Sequence, residues 1–301
     1  MIEKIAWKGW PNCYRLTNGD VELIMTADVG PRVMRYAYVG GENLFLEIES
    51  ELGGANEPTW KLRGGSRLWV APEDDSPRTY AVDNAPCEVH KVGGVLTVTS
   101  PVEPASGLQK RISLKLARKG SKVEVTHSLH NAGRKAQLLA PWVLAMMRPG
   151  GVGITGFPPR GTHPEVLQPT NPLVMWAFSD LSDKRWRFTQ KYLILKQDPK
   201  QKSPQKLGLF NERTWGAYLY KDTLFLKQYT ADPTQAYPDM GCSYETFTNA
   251  NVLEIETLGP LTKLKPGDWL HHTEHWTLHR GIAIPRWDDA ALDATIQPLL
   301  A

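Results

Sequence analysis

Glu254 and Glu256 in "NVLEIETLGP" (251–260) have the residue type and spacing for proton chemistry. Read as a strand, the run turns both carboxylates to one face and Leu253, Ile255 and Thr257 to the other, because side chains alternate with period two. Two carboxylates about 7 Å apart repel one another, and water screens them only on a solvated face. Lining a cleft, they would form a candidate acid/base pair. A little earlier, "YPDMGCSYETF" carries Tyr237, Asp239 and Glu245. A hairpin of these two runs would gather the carboxylates at one end of a sheet.

"GGSRLWVAPEDD" sets Arg67 and Trp69 on one strand face, with Ser66, Leu68 and Val70 on the other and Glu73, Asp74 and Asp75 following in a loop. An arginine beside an indole offers a fork of donors next to a stacking surface. Spacing alone equally allows a buried arginine tied to a carboxylate of that loop. In "KVEVTHSLHNAG", His127 shares a face with Val123, Val125 and Leu129, which suits a core histidine better than a cleft wall. "HHTEHWTLH" looks metal-like, yet on a strand His271, His275 and His279 stand about 13 Å apart per step, too far to grip one ion. No metal or cofactor is expected. Phosphate-cradling GxxxxGK[ST] and GxGxxG runs are absent, as are GxSxG and HExxH, which argues against nucleotide, serine-hydrolase and zinc-protease chemistry.

The elements that would position these groups are short β-rich runs bounded by Gly, Pro, Asn or Asp. "DVELIMTA" and "RVMRYAYV" flank "DVGP". "CEVHKVGGVLTVTSPV" turns at Gly-Gly, "KRISLKLARKGSKVEVTHSLHN" at Lys119-Gly120, and "TWGAYLYKDTLFLKQYT" at Lys221-Asp222. A long closing strand follows a turn at Pro266-Gly267. Such punctuation predicts an antiparallel sandwich or barrel, read as one domain over 1–301. Only "DDAALDATIQPLL" reads as a helix, with Asp288 as its N-cap. The run 148–173 is too rich in proline and glycine for a strand or helix and is expected as a long loop. The run 182–206 is strongly basic, read either as a solvated face or as a rim attracting an anionic ligand such as a uronate or sugar phosphate.

Composition sets the outer bounds. A net charge of +3 with scattered basic residues gives no footprint for nucleic acid. Cys13, Cys87 and Cys242 form no CxxC pair and favour a reducing compartment. No apolar run reaches the ~18 residues of a membrane helix, and "MIEKIAWKGW" has no signal-peptide core. The expectation is a cytoplasmic protein, or a periplasmic or secreted one had a leader been removed. The 11 Trp and 10 Tyr are apolar plates with polar edges, well suited to core packing and also to sugar rings.

The order of these pieces resembles the galactose mutarotase-like superfamily, the aldose 1-epimerases and their relatives with a "GGxRLWxAPE" run. The likeness rests on "DVGPRVMRYAYVGGENLF", "ISLKL…SKVEVTHSLHNAG" and "VLEIETLGPL…LKPGDWLHHTEHWTL". It implies an antiparallel β-supersandwich with a mono- or oligosaccharide, neutral or anionic, in a cleft on one concave sheet. It also implies a role in carbohydrate metabolism. In mutarotases a late-strand glutamate takes the anomeric hydroxyl proton while a histidine protonates the ring oxygen. By that resemblance Glu256 is the base, Glu254 its neighbour, and Arg67 a sugar-binding arginine. Trp69, Glu73, Trp142, Lys227, Tyr237, Asp239 and Glu245 are further substrate-binding candidates. One departure stands out: where the family's acid histidine precedes a Pro-aromatic pair, this chain reads Ala140-Pro141-Trp142. Either another group, such as His127, Lys227 or Tyr237, serves as acid, or the chain is a carbohydrate-binding or accessory protein without the activity.

Overall fold

The computed structural model describes residues 1–74 and 78–300. Its strands form two antiparallel sheets. The first contains 11 strands and runs β1 (Ile2–Trp7), β2 (Trp10–Thr17), β3 (Val21–Thr26), β4 (Arg32–Tyr38), β5 (Ser66–Ala71), β10 (Gln137–Met147), β19 (Leu253–Leu258), β18 (Tyr244–Thr248), β15 (Gln205–Leu209) and β12 (Leu173–Met175). The short β20 (Thr262–Leu264) also pairs with β10. The second contains 10 strands. It runs β13 (Trp186–Phe188), β14 (Tyr192–Lys196), β11 (Val152–Gly156), β16 (Trp215–Tyr220), β17 (Thr223–Gln228), β21 (Trp269–His279), β9 (Val123–Asn131), β8 (Leu108–Leu116), β7 (Val95–Thr99) and β6 (Glu88–Val92). This is the antiparallel sandwich that the turn punctuation predicts. No described helix is long and apolar enough to cross a membrane.

The core lies between the sheets. Leu253 and Ile255 of β19 and Ala145 and Met147 of β10 meet Tyr218, Phe225 and Trp276 of the second sheet. Period-two alternation therefore sends Glu254 and Glu256 to the outer face of the first sheet, as the sequence pattern requires. The helix Asp289–Ile296 begins where expected, with Asp288 Oδ1 accepting from the Ala291 amide at 2.9 Å.

One expectation fails inside the run 148–173: β11 lies in it, between β14 and β16 in the second sheet. Its glycines have a packing reason. A Cβ on Gly153 would stand 3.0 Å from Leu253 Cδ2, and one on Gly216 in β16 only 2.3 Å from Ile255 Cγ2. The sheets approach closely behind β19, leaving no room for a side chain at Gly216 and little at Gly153. The basic run 182–206 also holds β13, β14 and the start of β15, rather than one solvated face.

Candidate functional site

Register places the site across five adjacent strands. Arg67 on β5 lies opposite Leu144 on β10, which lies opposite Glu256 on β19. Glu256 lies opposite Glu245 on β18, and Glu245 opposite Gly208 on β15. Two residues along the strands, Trp69 faces Trp142. On the other side Met146, Glu254, Phe247 and Lys206 form the next row. These side chains point away from the sandwich interior but are not solvated. Surrounding loops bring Trp60, Tyr80, Trp176 and Phe178 over them and leave a cleft of about 450 Å³. Gly208 makes this possible, since a Cβ there would press 3.2 Å from both Trp176 and Glu245 and 2.4 Å from Cys242 Sγ.

The wall is aromatic. Trp69 packs edge-on against Trp142 at 5.2 Å and Tyr80 at 5.4 Å, and lies 5.6 Å from Trp60. The indole nitrogens of Trp60 and Trp69 are buried donors without a hydrogen-bond partner among the described residues.

The floor is ionic. Lys206 Nζ lies 2.7 Å from Glu245 Oε2 and 3.1 Å from Glu256 Oε2, with its ammonium 4.6 Å from the rings of both Trp142 and Trp176. Burial works against that charge, yet the Glu256 and Glu245 carboxylates hold the Lys206 pKa above the ordinary lysine range. Trp142 Nε1 donates to Glu256 Oε2 at 2.7 Å. Glu256 Oε1 and Glu245 Oε1 remain buried without a hydrogen-bond partner among the described residues. Burial and the Glu256 charge raise Glu245 well above the carboxylate range. Glu254 lines the cleft at 9% exposure, and its carboxyl makes no hydrogen bond among the described residues. Burial, then repulsion from Glu256, pushes it up to about 8.

The candidate residues separate accordingly. Trp69, Glu73, Trp142 and Glu254 line the cleft, and Tyr80 donates to Glu73 Oε1. Glu256 and Glu245 form the layer beneath through Lys206. Arg67 lies under the indoles rather than beside the cleft. Its guanidinium is 4.8 Å from the Trp69 ring and 5.3 Å from Trp60, and it pairs with Asp83 at 3.2 Å. Its carboxylate partner is thus Asp83, shared with Arg32 at 3.0 Å, and not a member of the "PEDD" loop. Burial draws Arg67 down to about 9, so it stays charged at neutral pH. Asp75 lies outside the described residues.

Four candidates are placed elsewhere. Lys227 sits on β17 in the opposite sheet, fully buried inside the sandwich, with Nζ 2.9 Å from Glu274. His127 is beside it, also fully buried, 3.5 Å from Glu274. Alternation turns both into the interior, so neither reaches the cleft. Tyr237 accepts from the Asp232 amide at 2.9 Å and packs edge-on against Phe210. Asp239 occupies a left-handed turn position and meets the site only through its charge, which helps raise Glu245. Ala140 packs with Trp69, Ala71 and Leu258. Among the described residues, no histidine lines the cleft.

Sequence reasoning missed Lys206, Trp60, Trp176, Phe178 and Phe247. Only Lys206 left a signal: in "QKLGL" it alternates with Gly208 on one face. A larger groove, about 690 Å³, crosses the face of β1–β4, but its charges are matched there, Lys8 with Glu47 and both Arg15 and Arg35 with Glu22.

No family model matches the chain, and no curated protein does either. Solved structures do. A galactose mutarotase-like protein from Lactobacillus casei ATCC 334 superposes with a TM-score of 0.58 at 11% identity, over 89% of this chain and 100% of its own. A galactose mutarotase-like protein from Clostridium acetobutylicum gives 0.55 at 12%, covering 93% and 98%. A candidate aldose 1-epimerase from Klebsiella pneumoniae gives 0.58 at 15%, covering 99% and 86%. At these identities the likeness concerns architecture, and the architecture is plain: this chain has the galactose mutarotase-like β-sandwich fold.

Proposed function

We propose that the chain binds a sugar in the Trp69–Trp142 cleft and exchanges its anomers. The carrying observation is Glu254, a carboxyl on the floor of an aromatic cleft with no hydrogen-bond partner among the described residues. Indole faces supply the apolar contact that a pyranose ring favours, and Lys206 and the indole N–H groups are donors for its hydroxyls. Ring opening requires the anomeric hydroxyl to lose its proton while the ring oxygen gains one and the bond from C1 to that oxygen breaks. Glu254, protonated at pH 7, serves as the acid. Glu73, the other carboxyl lining the cleft, is the acceptor. Glu256, the base implied by the family resemblance, is fully buried against Trp142 and Lys206, and in this reading it fixes the lysine.

Polarimetry on freshly dissolved anomers of several aldoses tests the proposal. Glu254→Gln should remove the acceleration by about 10²- to 10⁴-fold, as for other general acids. A wild type that binds sugars yet accelerates none of them would leave a binding protein. Ala140 in the acid-histidine position favours that second reading.

A further inference from the structure

The floor of the cleft carries more carboxyls than cations. Lys206 is matched by both Glu245 and Glu256. Arg32 and Arg67 share Asp83. Glu254 and Glu73 line the opening as well. Among the described residues three basic groups therefore face five carboxyls. Two of these, Glu245 and Glu254, hold their protons more tightly than ordinary carboxyls and are left for a ligand cation to ionise. Lys110 with Glu103 nearby is an ion pair at 2.6 Å. These carboxyls are aimed at the cavity: Glu254 is nine-tenths buried, and among the described residues neither its carboxyl nor the buried Glu256 Oε1 and Glu245 Oε1 behind it has a hydrogen-bond partner. The walls are the aromatic faces that attract cations through their quadrupoles. The protein already seats one ammonium this way, Lys206 between Trp142 and Trp176.

We infer that the cleft selects sugars bearing an ammonium group, held between the indole faces and the Glu254 and Glu73 carboxyl groups, over neutral sugars and over uronates and sugar phosphates. This rests on the sugar-binding reading and reverses the anionic preference suggested by the basic run 182–206. Of the basic residues of that run, Lys206 reaches the cleft, and there it is already paired with Glu256 and Glu245. An ammonium ligand would draw the proton off Glu254 and pair with the carboxylate left behind, whereas a ligand carboxylate or phosphate gains no such partner and, among the described residues, meets cations that already have carboxylates of their own.

Titration calorimetry on the full chain with glucose, glucuronate, 6-amino-6-deoxyglucose and 2-amino-2-deoxyglucose tests the inference at constant pH and low salt. At least one amino sugar should bind about tenfold more tightly than glucose, with glucuronate weakest. Glu254→Gln should shrink the ratio of amino-sugar to glucose affinity measured in the same variant. Glu73→Gln, on an exposed loop, should do so more weakly and covers the case in which the Glu254 variant misfolds. Glucose or glucuronate ahead of both amino sugars overturns the inference and leaves sugar binding intact. No heat from any of the four overturns both. An amino-sugar advantage unchanged in both variants overturns the assignment to these carboxylates.

Discussion

β19 separates two buried ionic clusters with the same ingredients and opposite characters. On its interior side Lys227 pairs with Glu274 at 2.9 Å. Both oxygens of that carboxylate are satisfied, one by the Thr257 hydroxyl and the other by Trp276 Nε1 at 2.8 Å. Burial works against the Glu274 carboxylate, yet Lys227 and His127 hold its pKa well below the usual range. Burial also pushes His272 down to about 3, so it remains neutral and exchanges a hydrogen bond with Thr257 at 3.0 Å. On the outer side Lys206, with Arg67 beneath the indoles, faces Glu245, Glu254 and Glu256, carboxyl oxygens lack hydrogen-bond partners among the described residues, and Glu245 and Glu254 are raised. A charge-matched cluster sealed between sheets, with both oxygens of its carboxylate satisfied, is structural polarity. An unmatched, unsaturated one beside a cavity is what a ligand would complete.

The sharpest way to break this comparison is at Glu274. Glu274→Gln strands the Lys227 ammonium in the dry interior, and leaving one partner of a buried pair alone costs roughly 3–5 kcal/mol. Urea denaturation should show a loss of that order. A loss below about 1 kcal/mol would mean that the interior cluster is not the matched pair its geometry indicates.

The second test uses pH, because the two clusters carry opposite signs. Glu274 has a depressed folded pKa, so its stabilisation is present above the unfolded value near 4.5 and fades as pH falls through the folded value. Glu254 has a raised one. Its folded form holds a proton that the unfolded chain has released, so stability declines as pH rises from about 4.5 to about 8 and then levels. The groups facing Glu254 are Glu256 on its own strand, Lys206 on β15, Arg67 on β5 and Glu73 on the loop. Glu254→Gln should therefore flatten the decline and gain roughly 2–4 kcal/mol over wild type at pH 8–9. A variant whose stability parallels wild type across that window would show that Glu254 titrates normally.

Sequence alternation was enough to put Glu254 and Glu256 on one face and to mark the hairpins and the Asp288 cap, because these depend on local period and turn chemistry. It was not enough to say that an outward face would be roofed. That depends on Trp60, Trp176 and Phe178, which reach the cleft from segments with no periodic pattern. Lys227 was a candidate as a stand-in for the absent acid histidine. Only tertiary pairing shows that β17 belongs to the other sheet. Lys206 was hidden, since a basic run reads as solvated until its strand is found beside two buried glutamates. The β11 glycines looked like loop punctuation because the close approach of Leu253 that requires one of them comes from a strand about a hundred residues away.

The mildest test concerns the roof. Trp176 is half-buried, its ring covers Gly208, and one face lies 4.6 Å from the Lys206 ammonium. Its neighbour Phe178 is exposed, so the segment adds little to the core. Trp176→Ala should leave the urea midpoint close to wild type. It should still weaken binding of whichever sugar proves best by about 1 kcal/mol, the scale of one aromatic or cation–π contact. Opening the roof also lets water reach Lys206, Glu245 and Glu256, which weakens their mutual attraction. Salt should then lower ligand affinity more steeply in the variant than in wild type, because a wetter site is better screened. The equivalent truncation on the interior cluster, Trp276→Ala, removes a fully buried ring and the donor to Glu274 together, so it should cost stability as a core deletion does. If Trp176→Ala instead destabilised the fold as much as Trp276→Ala, the outer cluster would be as structural as the inner one.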